Sequence, residues 1–380
     1  MDPAPPFAPR TPPAGRSLRG TALAVSLVWA VGAAVLVQFG SGLAYAPARS
    51  VAIANEEELR SAVDAQRRAA DRGEATSVQA AALRAALVGE LADPAAVAAL
   101  DTAIGSLDEA LDLPAPVAPI TGAHPPDEPT VPAWDRLAAL VELSAELPLV
   151  RERTIAFDAT ATLLADADSA VDDASSEVFT AAVGRAQAAL DATPNASTRT
   201  RLDLQYAVDV TAEAGDAAAF AALADAVVAA RDAQAAEEAH RRDEPRRAEI
   251  EAFARSLSNG VALDFTWSYE AAGVSSDGYY AGTAQFWPEG GGWGLITLTF
   301  SVADNWDDEN ARAVVVHEVG HTQVIRDACH AQFTGPAFAG DHEAWATAWA
   351  IGMGYDLPGS GIEAYGRPSD EQIAVAATCR

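Results

Sequence analysis

The stretch Ala311–Thr322, ARAVVVHEVGHT, decides how the last third of this chain is read. The acid-rich run Asp304–Glu309 precedes it. Acids ahead of an apolar run mark a helix N-terminus, here near Asp307 or Asp308, and the pattern carries that helix past His321. Residues four apart on a helix leave the same face one turn apart. His317 and His321 therefore present two imidazoles together, a spacing that suits two nitrogens ~2.0–2.1 Å from one Zn²⁺. Glu318 adjoins the first histidine and reaches the open side of such a metal. A carboxylate there takes a proton from metal-activated water and hands it to a leaving amine. Between Ala313 and Thr322 no other charged side chain intrudes, and four of the six histidines fall between 317 and 342. An ordinary helix with two surface histidines is the plainer reading, and this context argues against it.

A catalytic zinc needs a third protein ligand. A third histidine after a glycine would fall at 324 and 327, where Val324 and Asp327 stand instead. A glutamate on a second helix is the other common solution. Asp341–Ala350, DHEAWATAWA, is helical in composition and supplies Glu343, with Asp341 and His342 as neighbouring alternatives. Gly335, Pro336 and Gly340 provide the connection between the two helices. Trp345 and Trp349 are one turn apart and are expected in the core.

His317, Glu318, His321 and Glu343, with Ala346 three residues further on, resemble a gluzincin, the thermolysin-like branch of HExxH zinc metallopeptidases. The compact strand-then-helix layout is similar to the minigluzincins. The resemblance covers residues 257–380 only. It implies a zinc set of His317, His321 and Glu343, Glu318 as general base, and a strand that pairs with a peptide substrate. Two positions depart from the pattern: Thr347 stands where an aspartate often supports a metal-bound histidine, and Gln323 where an apolar residue is usual. The oxyanion of amide hydrolysis also needs a donor beside the metal. Tyr355, Tyr365, His330 and His342 are available, and Tyr355 is the one taken.

Upstream, the composition turns to Trp, Tyr, Phe, Thr and Gly from about residue 257. Val261–Tyr269 and Tyr279–Trp287 read as strands, and Gly290–Gly292 as a turn. Leu295–Val302 alternates, with Ile296, Leu298, Phe300 and Val302 on one face, the pattern of a half-buried strand. That strand is the expected substrate-pairing edge.

Residues 47–256 are Ala-rich and acidic, with apolar residues at helical spacing such as Leu59, Ala62 and Val63, or Leu83, Leu87 and Leu91. Breaks are expected at Asp93-Pro94, in the linker 114–132, near Pro148 and at Thr193-Pro194. Isolated His124 and His240 carry no chemistry on this reading. Further upstream, Thr21–Phe39 holds no charge and is long enough to cross a bilayer. Arg10, Arg16 and Arg19 precede it, and no basic residue follows until Arg49. The excess of positive charge places residues 1–19 in the cytoplasm, a membrane anchor at 20–40, and the remainder outside the cell. Ala44-Tyr45-Ala46 also fits a cleaved signal, with secretion after Ala46 as the alternative. Either route exports Cys329 and Cys379 into an oxidising compartment, where they are expected to pair.

The chain has 25 basic residues, all arginine, against 54 acids, for a net charge of −29. Such a balance excludes nucleic-acid binding by phosphate neutralisation. The expected fold is thus an α+β zincin-like C-terminal domain with a small mixed or antiparallel sheet, an active-site helix and a third-ligand helix. A transmembrane helix and an all-α acidic region come before it. The expected function is zinc-dependent peptide hydrolysis. A helical surface interaction protein with a structural or degenerate zinc site is the alternative.

Overall fold

The computed structural model describes residues 18–119, 124–128 and 130–380. Residues 1–17 of the expected cytoplasmic segment lie outside the described residues. The chain is mostly helical, with one long apolar helix near its N-terminus and a small mixed sheet. Three helices open it: α1 Leu18–Ala86, α2 Pro94–Leu111 and α3 Ala133–Ala192. Three more follow: α4 Thr198–Ala214, α5 Ala217–Asp243 and α6 Pro245–Leu257.

The helical region breaks where the sequence predicts, with one exception. At Asp93-Pro94 the Asp93 carboxylate accepts from the amides of Ala95 and Ala96, which caps α2. The linker and Thr193-Pro194 also interrupt the helices. Pro148 does not: α3 runs through it, as α1 runs through Pro47. A proline removes one helix hydrogen bond. Burial on both sides of Pro148, at Leu143 and Val150, keeps the helix continuous. The expected cleavage motif Ala44–Ala46 lies inside α1, and Tyr45 is fully buried.

Contacts divide the chain into two compact units. The first holds the described residues up to Val78 together with Thr102–Asp172. In it α1 packs on α3 through Tyr45, Ala52, Ala139 and Leu143, and again through Leu59, Ala62, Val150 and Phe157.

The second unit holds Gln79–Asp101 and Asp173–Arg380. Its strands are β1 Ala262–Ser268, β2 Glu270–Ala271, β3 Val274–Ser275, β4 Gly282–Trp287 and β5 Trp293–Thr299. A three-stranded sheet has the order β1-β5-β4, with β1 parallel and β4 antiparallel to β5. The strand expected at the substrate edge, β5, is therefore the central one, paired on both sides. The free edge beside the histidine helix belongs to β4. β5 also stops three residues short of the alternating pattern. Phe300–Asp304 is a helix, α7, because it buries Ser301 and Val302 from a helical turn.

The remaining elements are α8 Glu309–Thr322, α9 Asp327–Thr334, α10 His342–Gly352, α11 Ile362–Tyr365 and α12 Asp370–Ala376. Ile296 and Leu298 of β5 share one core with Val315, Val316 and Val319 of α8 and with Trp345 and Trp349 of α10. Each such side chain, fully buried, contributes ~1.5–3 kcal/mol. Ile250 and Ala254 of α6 belong to the same core. The boundary expected at 257 thus falls inside a packed core. Cys329 and Cys379 are joined in a disulfide, and Trp349 Nε1 donates to the Cys379 carbonyl at 2.7 Å.

Candidate metal centre

The histidine helix α8 begins where its acids predict. Asp308 is the N-cap, its carboxylate accepting from the Asn310 amide at 2.9 Å and from the Tyr280 hydroxyl at 3.0 Å. Those bonds, the backbone one first, hold the Asp308 carboxyl below the usual aspartate range. The helix carries His317, Glu318 and His321 into the interior, and all three are buried.

α10 begins on Asp341, whose carboxylate accepts from the amides of Glu343 and Ala344 at 3.1 and 3.0 Å. Asp341 is thereby committed to the cap. The two helices approach closely at Gly320, where a Cβ would stand 3.1 Å from the Ala346 Cα. Trp345 Nε1 donates to the Gly320 carbonyl at 3.1 Å and locks the crossing. Both tryptophans of α10 are core side chains, as the spacing predicts.

This crossing brings Glu343 to the two histidines. His317 Nε2 lies 3.2 Å and His321 Nε2 3.4 Å from Glu343 Oε2, and the two nitrogens are 3.1 Å apart. Tetrahedral arms of ~2.0–2.1 Å span edges of ~3.3–3.4 Å. The three atoms therefore form one face of a tetrahedron of the right size, and the group can hold a metal ion. Hydrogen bonds from both histidines pull the Glu343 carboxyl well below the ordinary glutamate range.

Orientation of His317 comes from an unexpected quarter. Its Nδ1 lies 2.9 Å from the backbone carbonyl of Ser360. A carbonyl only accepts, so Nδ1 carries a proton, and the neutral ring that a metal would take offers its lone pair at Nε2. Thr347, at the position of the usual aspartate, is 3.5 Å from the same nitrogen. Gly361 lets the turn come this near. Its φ is +94°, and a Cβ would lie 2.4 Å from Thr347 Oγ1 and 2.8 Å from His317 Cε1. A bond from the Gly359 amide to Asn310 Oδ1, at 3.2 Å, ties the turn to the start of α8. Nothing local in Pro358–Gly361 connects it to a histidine more than forty positions earlier.

Glu318 is enclosed. Its Oε2 is buried with no hydrogen-bond partner, and burial pushes its carboxyl above the ordinary range. Gly282 of β4 lies against it, where a Cβ would stand 2.6 Å from Glu318 Cγ.

The tyrosine beside the centre is Tyr365. Its ring stacks on His317 at 5.9 Å with 8° between planes. Burial, then the Glu343 charge, raises its pKa. Tyr355, the residue chosen from the sequence, packs edge-on against Phe253 at 6.4 Å. His342 stands 6.4 Å from His321 with its ring against Phe333, and burial lowers its pKa. His330 bonds to the Val324 carbonyl and stays out of the cluster. His240 bonds to Glu251, and His124 lies against Glu146.

No protein-family model, curated protein or solved structure matches the chain.

Proposed function

We propose that this chain is a membrane-anchored or secreted zinc-dependent metallopeptidase. The observation that carries the reading is the triangle of His317 Nε2, His321 Nε2 and Glu343 Oε2 beside the buried Glu318 carboxyl group, whose Oε2 has no partner. His317, His321 and Glu343 would hold the zinc, and neutral imidazole and carboxylate donors fit that ion. Zinc bound there would supply Lewis acidity and lower the pKa of a bound water.

Glu318 is the base: it accepts a proton from the attacking water and passes it to the leaving nitrogen. Its raised pKa suits both halves of that task. Tyr365 donates a hydrogen bond from its hydroxyl to the oxyanion as charge develops there. The substrate backbone pairs along the free edge of β4, which runs past Glu318 at Gly282. α1 crosses the bilayer and leaves the second unit outside the cell, a setting in which the Cys329–Cys379 disulfide persists.

The test uses the full chain in detergent. One zinc per chain and cleavage of a broad peptide library are expected, with Glu318→Gln keeping the metal and losing cleavage. Zinc binding without cleavage leaves the alternative of a structural metal site on a helical interaction protein. Absence of zinc sinks both.

A further inference from the structure

The apolar surface of the first unit does not stop at α1. Trp29, Leu36, Phe39 and Leu43 of α1 are 72–81% exposed, and the helix carries no charge between Thr21 and Ala48. Beside this stretch α3 begins with a second exposed set, Trp134 at 72%, Leu137 at 47% and Val141 at 70%.

Cross-helix bonds fix the level at which these sit. Arg136 Nη1 donates to the Gln38 carbonyl, a separation of 98 residues, and Arg151 Nε donates to Asn55 Oδ1, a separation of 96. The offset is nearly constant, so α1 and α3 run parallel in register. Trp134 therefore lies level with about Leu36–Gln38, and Leu137 with the turn after it. Both are inside the uncharged length of α1. The preceding linker returns to the same level: Gln38 Nε2 donates to the Val131 carbonyl at 2.7 Å, and the Tyr45 hydroxyl to the Pro125 carbonyl at 2.6 Å.

Among the described side chains, the cation at this level is turned inward. Arg136 is 4% exposed, and its guanidinium donates to the carbonyls of Gln38 and Glu128. Gly42 makes room for it, since a Cβ there would lie 3.0 Å from Nη1. Asp135 and Glu142 leave α3 about 80–100° round from Trp134, on a flank of the apolar stripe.

We propose that the first two turns of α3 form a second membrane contact, with Trp134 and Leu137 seated in the outer lipid interface beside the end of α1. The inference rests on reading α1 as a membrane span. Tryptophan concentrates at that interface because its ring is apolar and its N–H is polar. Stripes of large apolar side chains facing water are uncommon and mark a surface that something covers. Continuity with the apolar run of α1 names the bilayer as the cover.

Full-length protein in phosphatidylcholine vesicles carries the test. Leu36→Cys, Trp134→Cys, Leu137→Cys and, as a water control in α5, Val228→Cys are each labelled with a thiol-reactive environment-sensitive fluorophore. The native cysteines are paired and do not compete. Labels at 134 and 137 are expected to emit to the blue of the 228 label and to lose emission to headgroup-proximal spin-labelled lipid, as the 36 label does. If the 36 label is quenched while 134 and 137 behave like 228, the interface contact is wrong and the span survives. Blue-shifted emission at 134 without lipid quenching means contact with protein and equally overturns it. No quenching at 36 removes the span and this inference with it.

Discussion

The backbone carbonyl of Ser360 accepts a hydrogen bond from His317 Nδ1 at 2.9 Å. It holds the imidazole in the tautomer and orientation that a metal at Nε2 requires, the task a carboxylate often performs from the position of Thr347. The carbonyl reaches His317 because Gly361 follows it at φ +94° with no room for a Cβ. Gly361→Ala is therefore expected to push the turn away and weaken zinc affinity by roughly 10–100-fold. Competition with a chelating dye measures this. An unchanged affinity would refute the supporting role of the turn.

Glu343 and Asp341 are two residues apart, yet Glu343 faces the two histidines and Asp341 caps the helix. Glu343→Ala should empty the site in a metal analysis while leaving α10 formed. Asp341→Ala should retain one zinc per chain and lose ~1 kcal/mol of stability, the usual cost of an N-cap. Reversal of the two results would make Asp341 the ligand.

Two tyrosines divide in the same way. Tyr365 stacks on His317, whereas Tyr355 packs on Phe253. With a cleavable peptide in hand, Tyr365→Phe should lower kcat by ~10²–10³ with zinc retained, the scale of losing one oxyanion donor. Tyr355→Phe should leave kcat close to that of the parent. Equal effects would mean that Tyr365 is not the donor.

Asp308 makes the start of α8 sensitive to acid. Its carboxyl lies below the ordinary range in the folded chain because it accepts the Asn310 amide and the Tyr280 hydroxyl. A depressed folded pKa adds stability that is complete above the unfolded pKa and disappears as pH falls through the folded one. Asp308→Ala should thus melt below the parent at neutral pH, and the gap should close on the acid side of the aspartate range. Melting curves across pH decide it; a gap that stays constant would show that the carboxylate charge contributes nothing.

The Cys329–Cys379 bond closes a loop of 50 residues and ties the C-terminus to α9. A chain-entropy model assigns such a closure ~4 kcal/mol. Cys329→Ser is expected to lower the stability of the second unit by about that amount, as does reductant on the parent but not on the variant. Denaturant titrations with and without reductant give the comparison.

The short-range features of the site were legible in the sequence. Helical periodicity alone puts His317 and His321 on one face, because four residues make about one turn. The acids at 307–309 mark the start of α8 to within a residue, since a cap is a local hydrogen bond. The helical character of Asp341–Ala350, the core position of Trp345 and Trp349 and the small sheet were also open to reading. So was the uncharged run in α1.

Only the tertiary structure decided what depends on neighbours distant along the chain. Strand alternation reports a buried face but not which strand lies in the middle, so the sequence pointed to β5 as the edge and the sheet order made it β4. Tyr355 and Tyr365 are equivalent in composition, and only packing turns one to Phe253 and the other to His317. Pro148 signals a break that flanking burial overrides. Support for His317 comes from a main-chain carbonyl, which every residue possesses, so no side-chain pattern could announce Ser360. The identity of the candidate metal-binding groups was a matter of local chemistry, and their arrangement a matter of which distant backbone was free to come close.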